Sequence, residues 1–252
     1  FSEEDFLSWG WRIPFLLSSV LVLLGLWIRK DIDETPEFKK VKSSGKVAKA
    51  PLRDTLKYHW REVLIAAGLK VVETAPFYIF STFVVSYATT TLSYQKSQAL
   101  EAVTLGALVA TIMIPLMGLL SDKVGRQRMY AVSVFTLGLF IVPWFMLLNT
   151  GTTWGIVLAT VIAFGVLWAP VTAVLGTLCS EIFTANVRYT GITLGYQLGA
   201  ALAGGTAPLI VTGLLAKYNG DWVPVAWYLA VTVTISLIAI FFASRVKRAA
   251  PA

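Results

Sequence analysis

Seven long apolar runs constrain the fold of this chain more than any other feature. They occupy residues 12–29, 63–89, 99–120, 129–148, 154–179, 189–215 and 223–243. Each is close to the roughly 20 residues that an α-helix needs to cross a hydrocarbon core of about 30 Å. A helix satisfies its backbone groups within its own segment, and the runs lack the alternation of a membrane β-barrel. The sequence therefore predicts an all-α membrane protein with seven transmembrane helices.

The basic residues between the runs predict how the chain crosses the membrane. Of the 21 Lys and Arg residues, 17 fall on one side if successive runs alternate in direction, and ten of these lie between residues 29 and 61. Short loops rich in Lys and Arg stay in the cytoplasm. We therefore expect a multi-pass protein of the plasma (cytoplasmic) membrane, with the N-terminus of this chain outside and its C-terminus in the cytoplasm. The net charge of +7 then reflects topology, and we expect no nucleic-acid partner.

The reactive residues argue against an enzyme. The chain has one cysteine, Cys179, and one histidine, His59, which exclude a disulfide within the chain and a Cys/His metal cluster. The phosphate-binding pattern GxxxxGK[ST], the zinc-binding pattern HExxH and the nucleophile elbow GxSxG do not occur in a suitable context. We expect no catalytic residue, no metal and no cofactor.

The segment GLLSDKVGRQRMY joins the third and fourth runs and carries charges of unexpected sign. Asp122 lies near the end of one helix and Arg128 near the start of the next, whereas helix dipoles favour bases at C-termini and acids at N-termini. The same inversion occurs where Glu181 closes one run and Arg188 opens the next. These signs are explained if the two acids accept hydrogen bonds from Arg126, Arg128 and Arg188 across the helices.

We interpret this charged cluster as a cytoplasmic hinge that latches one state of the protein. A partly exposed ion pair contributes only about 0–1 kcal/mol, which suits a latch that has to open. The alternative is that the charges simply mark the membrane boundary, although that leaves the inverted signs unexplained.

The second run contains two ionisable residues in its apolar interior. Lys70 and Glu73 lie about 10 and 15 Å into it, near the middle of the membrane. An ionisable residue there costs about 2.5–3.5 kcal/mol on insertion, so each should face protein or water. At about 100° per residue, the pair shares one arc of the helix with Thr74, Phe77, Tyr78 and Ser81. The opposite side carries Val72, Ala75, Ile79 and Phe83 and is typical of a lipid-facing surface.

Two interpretations of Lys70 and Glu73 remain open. The residues are three apart and close enough to neutralise each other as a structural pair. Alternatively, their face lines a cavity in which Lys70 attracts an anionic metabolite and Glu73 responds to protonation. Gln197, inside the sixth run, is a further candidate because a buried amide needs partners. Weaker candidates are aromatic, since aromatics in membrane helices mostly pack or anchor: Tyr78, Tyr87, Trp168 and Tyr196.

Small residues recur in the sixth run, at Gly191, Gly195, Gly199 and Gly204. Such spacing allows two helices to approach closely. The surface they form predicts close packing, a sliding contact between moving bundles, or both.

The charged segment resembles a family motif. The pattern G-x-x-[SA]-D-[KR]-x-G-R-x-[KR] resembles the cytoplasmic-loop motif of the major facilitator superfamily, and is present here as Gly118, Ser121, Asp122, Lys123, Gly125, Arg126 and Arg128. Further segments are similar to its metabolite:proton symporter branch: LSWGWRIPFLLS at 7–18, DETPEF at 33–38, FYIFSTFVVSYATT at 77–90 and RYTGITLGYQLGAALAGGTAPLI at 188–210.

The resemblance implies a domain organisation for the C-terminal half of such a carrier, from helix six to helix twelve. Residues 1–29 would be an extracellular loop and helix six, and residues 30–61 the central cytoplasmic loop, which ends in a helix on the membrane surface or in an ordinary lead-in to the next span. Residues 62–245 would be the C-terminal six-helix bundle and 246–252 a cytoplasmic tail. Helices one to five, which form most of the N-terminal bundle, would be the missing partner in this chain.

The function we expect is secondary active transport by alternating access, in which a small metabolite, an organic acid or a zwitterion, enters together with a proton. Two alternatives differ in class. The chain could be a truncated half-bundle without transport activity. It could also be a seven-helix receptor-like or retinal protein, although a retinal protein needs a lysine in its last span and residues 223–243 contain none.

Overall fold

A computed structural model describes residues 3–30, 39, 43 and 51–246 of the chain. Within these residues the regular structure is helical, and the described part contains no strand. The DETPEF segment, most of the expected central loop and the basic residues Lys247 and Arg248 lie outside the described residues.

The chain divides into two compact units, Phe1–Val47 and Ala48–Ala252. The described part of the first unit contains a short helix, Glu3–Ser8, a 3₁₀ turn, Gly10–Arg12, and a longer helix, Ile13–Lys30. Pro14 lies in the first turn of the longer helix, where proline is tolerated. Arg29 and Lys30 close its last turn, where positive charge complements the helix dipole.

Seven helices of the described chain are long and apolar enough to cross a membrane. We number them in chain order as span 1 to span 7: Gly10–Lys30, Trp60–Thr90, Lys96–Val124, Arg126–Leu148, Thr153–Ile182, Arg188–Lys217 and Val223–Ala243. They coincide with the seven predicted runs and extend most of them by a few residues. The predicted fold class, an all-α membrane protein with seven spans, is confirmed.

Three of the spans contain a π-helical segment. These segments are Ile79–Phe83 in span 2, Val161–Trp168 in span 5 and Ala200–Gly204 in span 6. They divide span 2 into the α-helices Trp60–Tyr78 and Val84–Thr90, span 5 into Thr153–Thr160 and Ala169–Ile182, and span 6 into Arg188–Gly199 and Ala207–Lys217. A proline ring clashes with the carbonyl four residues earlier. For Pro170 and Pro208 that carbonyl belongs to a π segment, where the wider turn gives the ring more room.

A separate short helix, Pro51–Tyr58, precedes span 2. His59 interrupts the helix, with a φ of −126° and a ψ of 21°, and span 2 begins at Trp60. Leu52 and Leu56 are exposed on this helix, whereas Thr55 is buried and donates a hydrogen bond to the Pro51 carbonyl at 2.7 Å.

Span 2 packs against spans 6 and 7. A Cβ atom on Gly195 would lie 2.5 Å from Ala66 Cβ, and one on Gly199 would lie 2.5 Å from the carbonyl oxygen of Ala67. Only glycine permits the backbones to come this close. The predicted close packing of the small-residue surface is therefore confirmed at these two positions.

The expectation that one side of span 2 faces lipid is wrong. Val72, Ala75 and Ile79 are fully buried, and Phe83 is nearly so. Next to them lies an aromatic core in which Phe80 packs on Trp144 at 5.0 Å between ring centroids and Trp144 on Phe145 at 4.6 Å. Lipid and a helix-bundle interior are equally apolar, so helical periodicity alone cannot distinguish a face that meets one from a face that meets the other.

Two loops at one end of the six-span unit are tied together by Tyr94. This side chain is buried, and its hydroxyl donates to the carbonyl oxygens of Leu148 at 2.9 Å and Thr152 at 3.2 Å. Burial raises the pKa of Tyr94 above its ordinary value, because removal from water disfavours the charged phenolate.

Candidate functional site

Lys70 and Glu73 form an ion pair inside span 2. The Lys70 ammonium contacts Oε2 of Glu73, and the two side chains are 17% and 14% exposed. Span 2 has 31 residues, so Glu73 lies about 20 Å along a helix of about 45 Å. The pair is thus mostly removed from solvent, near the middle of its span.

Glu73 is held by hydrogen bonds to both carboxylate oxygens. Thr74 Oγ1 donates to Oε2 at 3.0 Å, and Thr172 Oγ1 of span 5 donates to Oε1 at 3.3 Å. Lys70 has a second partner in span 6, since its Nζ lies 4.8 Å from the centroid of the Tyr196 ring. A cation over an aromatic face is stabilised by the ring quadrupole. The pair therefore connects three spans.

The helix backbone around the pair accepts hydrogen bonds from three other spans. Tyr130 donates to the carbonyl of Leu69 at 2.5 Å, and Trp168 Nε1 donates to the carbonyl of Glu73 at 2.7 Å. The Ser236 hydroxyl bridges two backbone groups one helical turn apart in span 2. It donates to the Gly68 carbonyl at 2.6 Å and accepts from the Val72 amide at 3.1 Å. These contacts fix the position and rotation of the helix that carries the pair.

Aromatic rings line span 2 one turn beyond Glu73. Phe77 lies 5.3 Å from Trp168 and 5.7 Å from Phe164, measured between ring centroids. Tyr78 packs edge-on against Phe77 at 5.5 Å and is 38% exposed. Ser81 is half-buried, and its hydroxyl donates to the Phe77 carbonyl at 2.5 Å. The residues predicted to share the arc of Lys70 and Glu73 are therefore half-buried or exposed, in contrast to the fully packed opposite side.

The prediction that the Gln197 side chain is buried inside its span is wrong. Its side chain is exposed rather than buried. Gly195 and Gly199 face span 2, and Gln197 is two residues from each, on the opposite side of the same helix. Tyr196, the weaker candidate by its residue type, is the residue of this segment that contacts Lys70.

A second ionic cluster lies where spans 3 and 4 meet. Arg126 donates through one nitrogen, Nη1, to Oε1 of Glu181 at 2.6 Å and through the other, Nη2, to Oδ1 of Asp122 at 3.1 Å. The guanidinium thus links the end of span 3, the start of span 4 and the end of span 5. The Arg126, Asp122 and Glu181 side chains are 34%, 59% and 28% exposed.

The pairing differs in part from the one we predicted. Both acids pair with Arg126, whereas Arg128 is exposed and forms no ion pair with any residue that the structure describes. Nε of Arg188 donates to the backbone carbonyl of Phe183 at 3.4 Å. Arg126 begins span 4 beside the end of span 3 and so reaches both acids, while Arg128 is two residues on and points to another side of the helix.

The remaining motif residues shape the turn between spans 3 and 4. Gly125 has a φ of +96°, which side chains other than glycine rarely adopt, and it is the only residue between the two helices. Ser121 is buried and donates to the Gly118 carbonyl at 2.6 Å. Lys123 is exposed, and a Cβ atom on Gly118 would meet nothing within 4 Å. The turn leaves an open, mostly polar pocket of about 470 Å³ that includes Arg126, Arg128 and Glu181.

Comparison with known proteins identifies the family. The model of the Major Facilitator Superfamily matches residues 6–208 and, in a second, overlapping match, residues 77–252. The chain belongs to this superfamily, and it is a multi-pass membrane protein. The family match and the charged motif are inconsistent with the receptor-like alternative.

Curated relatives are transporters rather than enzymes, in agreement with the expectation that this chain is not an enzyme. The shikimate transporter of Escherichia coli (strain K12) is 32% identical over 237 residues, which are 93% of this chain and 54% of the transporter. The inner membrane metabolite transport protein YhjE of the same organism is 30% identical over 95% of this chain and 55% of that protein. The proline/betaine transporter of Salmonella typhimurium (strain LT2) is 28% identical over 94% of this chain and 48% of its own length.

The chain spans about half the length of the curated relatives it matches, and the matched part is their C-terminal half. No solved structure matches the chain at a significant level.

Proposed function

We propose that this chain is the C-terminal part of a secondary active transporter that carries a small metabolite across the cytoplasmic membrane together with a proton. The relatives named above support this proposal, since one is named for shikimate, an organic acid, and another for proline and betaine, which are zwitterions. Shikimate, proline and betaine each carry a carboxylate.

The observation that carries the proposal is the ion pair within span 2. Lys70 supplies a positive charge near the middle of a span, where a substrate carboxylate would replace Glu73 as its partner. Glu73 becomes neutral on protonation and then releases Lys70 for that substrate. The threonine hydroxyls of Thr74 and Thr172 hydrogen-bond the carboxylate in either protonation state, because a hydroxyl can both donate and accept. Binding of proton and substrate would thus be linked through one pair.

The substrate site would be completed from the same face of span 2. Phe77, Tyr78 and Ser81 continue this face away from the pair, and Tyr196 covers Lys70 from span 6. We keep Gln197 as a further lining residue that faces the partner bundle rather than Lys70. Binding sites of such carriers lie near the bilayer midplane, between two repeats that rock against each other.

The Arg126 cluster is the proposed cytoplasmic latch. The N-terminus of this chain would lie outside and its C-terminus inside, which puts the turn at Gly125 in the cytoplasm. Gly118, Asp122, Lys123, Gly125, Arg126, Arg128, Glu181 and Arg188 would form the gate region. Arg126 joins three spans through two partly exposed contacts, so opening would cost little.

The proposed domain organisation follows from these assignments. Residues 62–245 would form the C-terminal bundle, 1–29 an extracellular loop with helix six, 30–61 the central cytoplasmic loop and 246–252 the tail. The N-terminal bundle of the same protein would supply the other wall of the cavity.

Uptake into proteoliposomes tests the proposal. The full-length protein is reconstituted, and accumulation of radiolabelled shikimate, proline and betaine is measured with and without an inward proton gradient. We expect the gradient to drive accumulation of at least one of them, and Glu73→Gln to reduce it to the level seen without a gradient. Glu101→Gln is the matched control, because Glu101 is an exposed acid in span 3 without an ion pair to a described residue. Accumulation that is independent of the gradient in the unaltered protein would contradict proton symport.

A further inference from the structure

A groove between the start of span 2 and the end of span 7 combines two arginines with an apolar floor. It has a volume of about 610 Å³. Arg61 and Arg245 line it, and Leu64, Ile65 and Phe242 form its apolar part. Leu64 and Phe242 are 56% and 51% exposed, which leaves this apolar surface uncovered by the described protein. None of its lining residues belongs to either ionic cluster described above.

Neither arginine forms an ion pair with another described residue. The Arg61 guanidinium lies 5.3 Å from the centroid of the Trp60 ring, and that of Arg245 lies 4.1 Å from the Phe241 ring. Both are exposed. Each charge is therefore oriented by an aromatic ring and remains available to a ligand.

The position of the groove along the spans determines its surroundings. Trp60 is the first residue of span 2, and Arg245 follows span 7 by two residues. Span 2 starts and span 7 ends on the same side of the membrane, because six spans separate the two points. Tryptophan at a helix end is typical of the interface between headgroups and acyl chains, and arginines there direct their charge toward the headgroups.

We propose that this groove binds an anionic phospholipid, with the headgroup phosphate between Arg61 and Arg245 and one acyl chain along Leu64, Ile65 and Phe242. Charge complementarity favours an anionic headgroup, and guanidinium groups bind phosphate through paired hydrogen bonds. The apolar floor continues from the arginines into the spans, which suits an acyl chain. A soluble phosphate would make no favourable contact with this apolar surface. Arg245 is followed in the sequence by Lys247 and Arg248, so the local charge favours an anionic leaflet.

One acid also lines the groove and opposes the headgroup. Glu62 lies there, and its Oε1 is 3.8 Å from Nδ1 of His59. Because this carboxylate would repel an anionic headgroup, we expect Glu62→Gln to strengthen lipid binding.

Lipid binding is measured on the purified full chain in detergent by native mass spectrometry, with titration of dioleoylphosphatidylglycerol against dioleoylphosphatidylcholine. We expect a preference for phosphatidylglycerol and a loss of about 30-fold in its affinity in Arg61→Gln/Arg245→Gln, since each basic residue near an anionic surface contributes roughly fivefold. Arg12→Gln is the matched control, because Arg12 is also exposed at a helix end over a tryptophan ring, at 4.6 Å from Trp11. It should leave the affinity unchanged.

Two further measurements distinguish lipid binding from misfolding and from binding of a soluble phosphate. Arg61→Lys/Arg245→Lys retains both charges and should retain most of the binding, which separates loss of charge from loss of folding. Soluble glycerol 3-phosphate should not compete with the lipid. Equal affinity of the unaltered protein and the double Gln variant, equal binding of phosphatidylcholine, or full competition by glycerol 3-phosphate would each overturn the proposal. The result does not depend on whether the protein transports a substrate.

Discussion

The two ionic clusters of the six-span unit combine the same groups in opposite surroundings. Lys70 and Glu73 are 17% and 14% exposed and are fixed by hydrogen bonds from neighbouring spans. Asp122, Arg126 and Glu181 are 59%, 34% and 28% exposed and hold one another across a single-residue turn. Burial strengthens the electrostatic attraction within the first cluster, whereas water screens the attraction within the second. The same chemistry therefore suits a binding site in one place and a weak latch in the other.

The largest effect is expected at Lys70. Replacement with Ala removes the charge that would hold the substrate carboxylate, and loss of one partner of a buried charge pair reduces affinity by about 30-fold or more. Folding should change far less, because the Glu73 carboxylate keeps the hydroxyl groups of Thr74 and Thr172 as hydrogen-bond partners. The measurement is the KM for uptake by the full-length protein beside its thermal unfolding temperature.

Lys96→Ala is the matched control for Lys70→Ala, since Lys96 is an exposed lysine at the first position of span 3. Uptake by Lys70→Ala that equals the unaltered protein would remove Lys70 from the site and leave the pair a structural role.

The buried cluster also depends on close helix packing, which a small backbone change tests. A Cβ atom on Gly199 would lie 2.5 Å from the Ala67 carbonyl oxygen and 2.7 Å from Lys70 Cβ. We expect Gly199→Ala to lower the free energy of unfolding by about 1–3 kcal/mol through overpacking, and to weaken uptake because it shifts Lys70.

Gly213→Ala provides the comparison, since a Cβ atom at Gly213 meets nothing within 4 Å. It should be neutral or should stabilise by up to about 1 kcal/mol, as expected for alanine in a helix. Similar unfolding temperatures for the two variants in detergent would show that this helix contact is loose.

A smaller effect is expected in the exposed cluster. Arg126→Gln removes two partly exposed ion pairs and should lower stability by about 1 kcal/mol. Arg128→Gln, two residues away and without an ion pair to a described residue, should change it by less than about 0.5 kcal/mol. Chemical denaturation of both variants checks this order, and an equal loss in the two would contradict the pairing through Arg126.

The smallest effect separates the two acids of that cluster. Glu181 is 28% exposed and contacts Arg126 at 2.6 Å, whereas Asp122 is 59% exposed at 3.1 Å. Glu181→Gln should therefore destabilise more than Asp122→Asn, by a few tenths of a kcal/mol. At 1 M salt, where the screening length is about 3 Å, the difference should shrink. Persistence of the full difference in salt would indicate a buried interaction.

The sequence predicted the spans well because their signal is strong and local. Each apolar run is close to the length of a membrane crossing, so composition alone locates it. The π segment at Ile79–Phe83 was not predicted, since no residue type marks such a segment. Helical periodicity predicts a lipid-facing side at Val72 and Ile79, which are buried in the structure, because lipid and the protein interior select the same apolar residues.

The candidate site was predicted only where one helix carries it. Lys70 and Glu73 are three residues apart, so their pairing follows from helix geometry. Thr172, Tyr196 and Ser236 contact the same region of span 2 from three other spans. A single sequence does not indicate which residues of distant helices are in contact. For Thr172 and Ser236 one signal is available, since Ser and Thr hydroxyl groups inside apolar spans form hydrogen bonds across helices.

The central claim is that the face of span 2 with Lys70 and Glu73 lines a water-filled substrate cavity. Cysteine labelling tests it most directly in the full-length protein with any cysteine outside this chain replaced by serine, because the single cysteine of this chain, Cys179, is fully buried. We predict that Ser81→Cys reacts with a membrane-impermeant, water-soluble thiol reagent and is protected by substrate. Val132→Cys, 60% exposed on span 4 where we expect lipid, should not react. Labelling of Ser81→Cys no faster than Val132→Cys, or labelling that substrate leaves unchanged, would contradict the account.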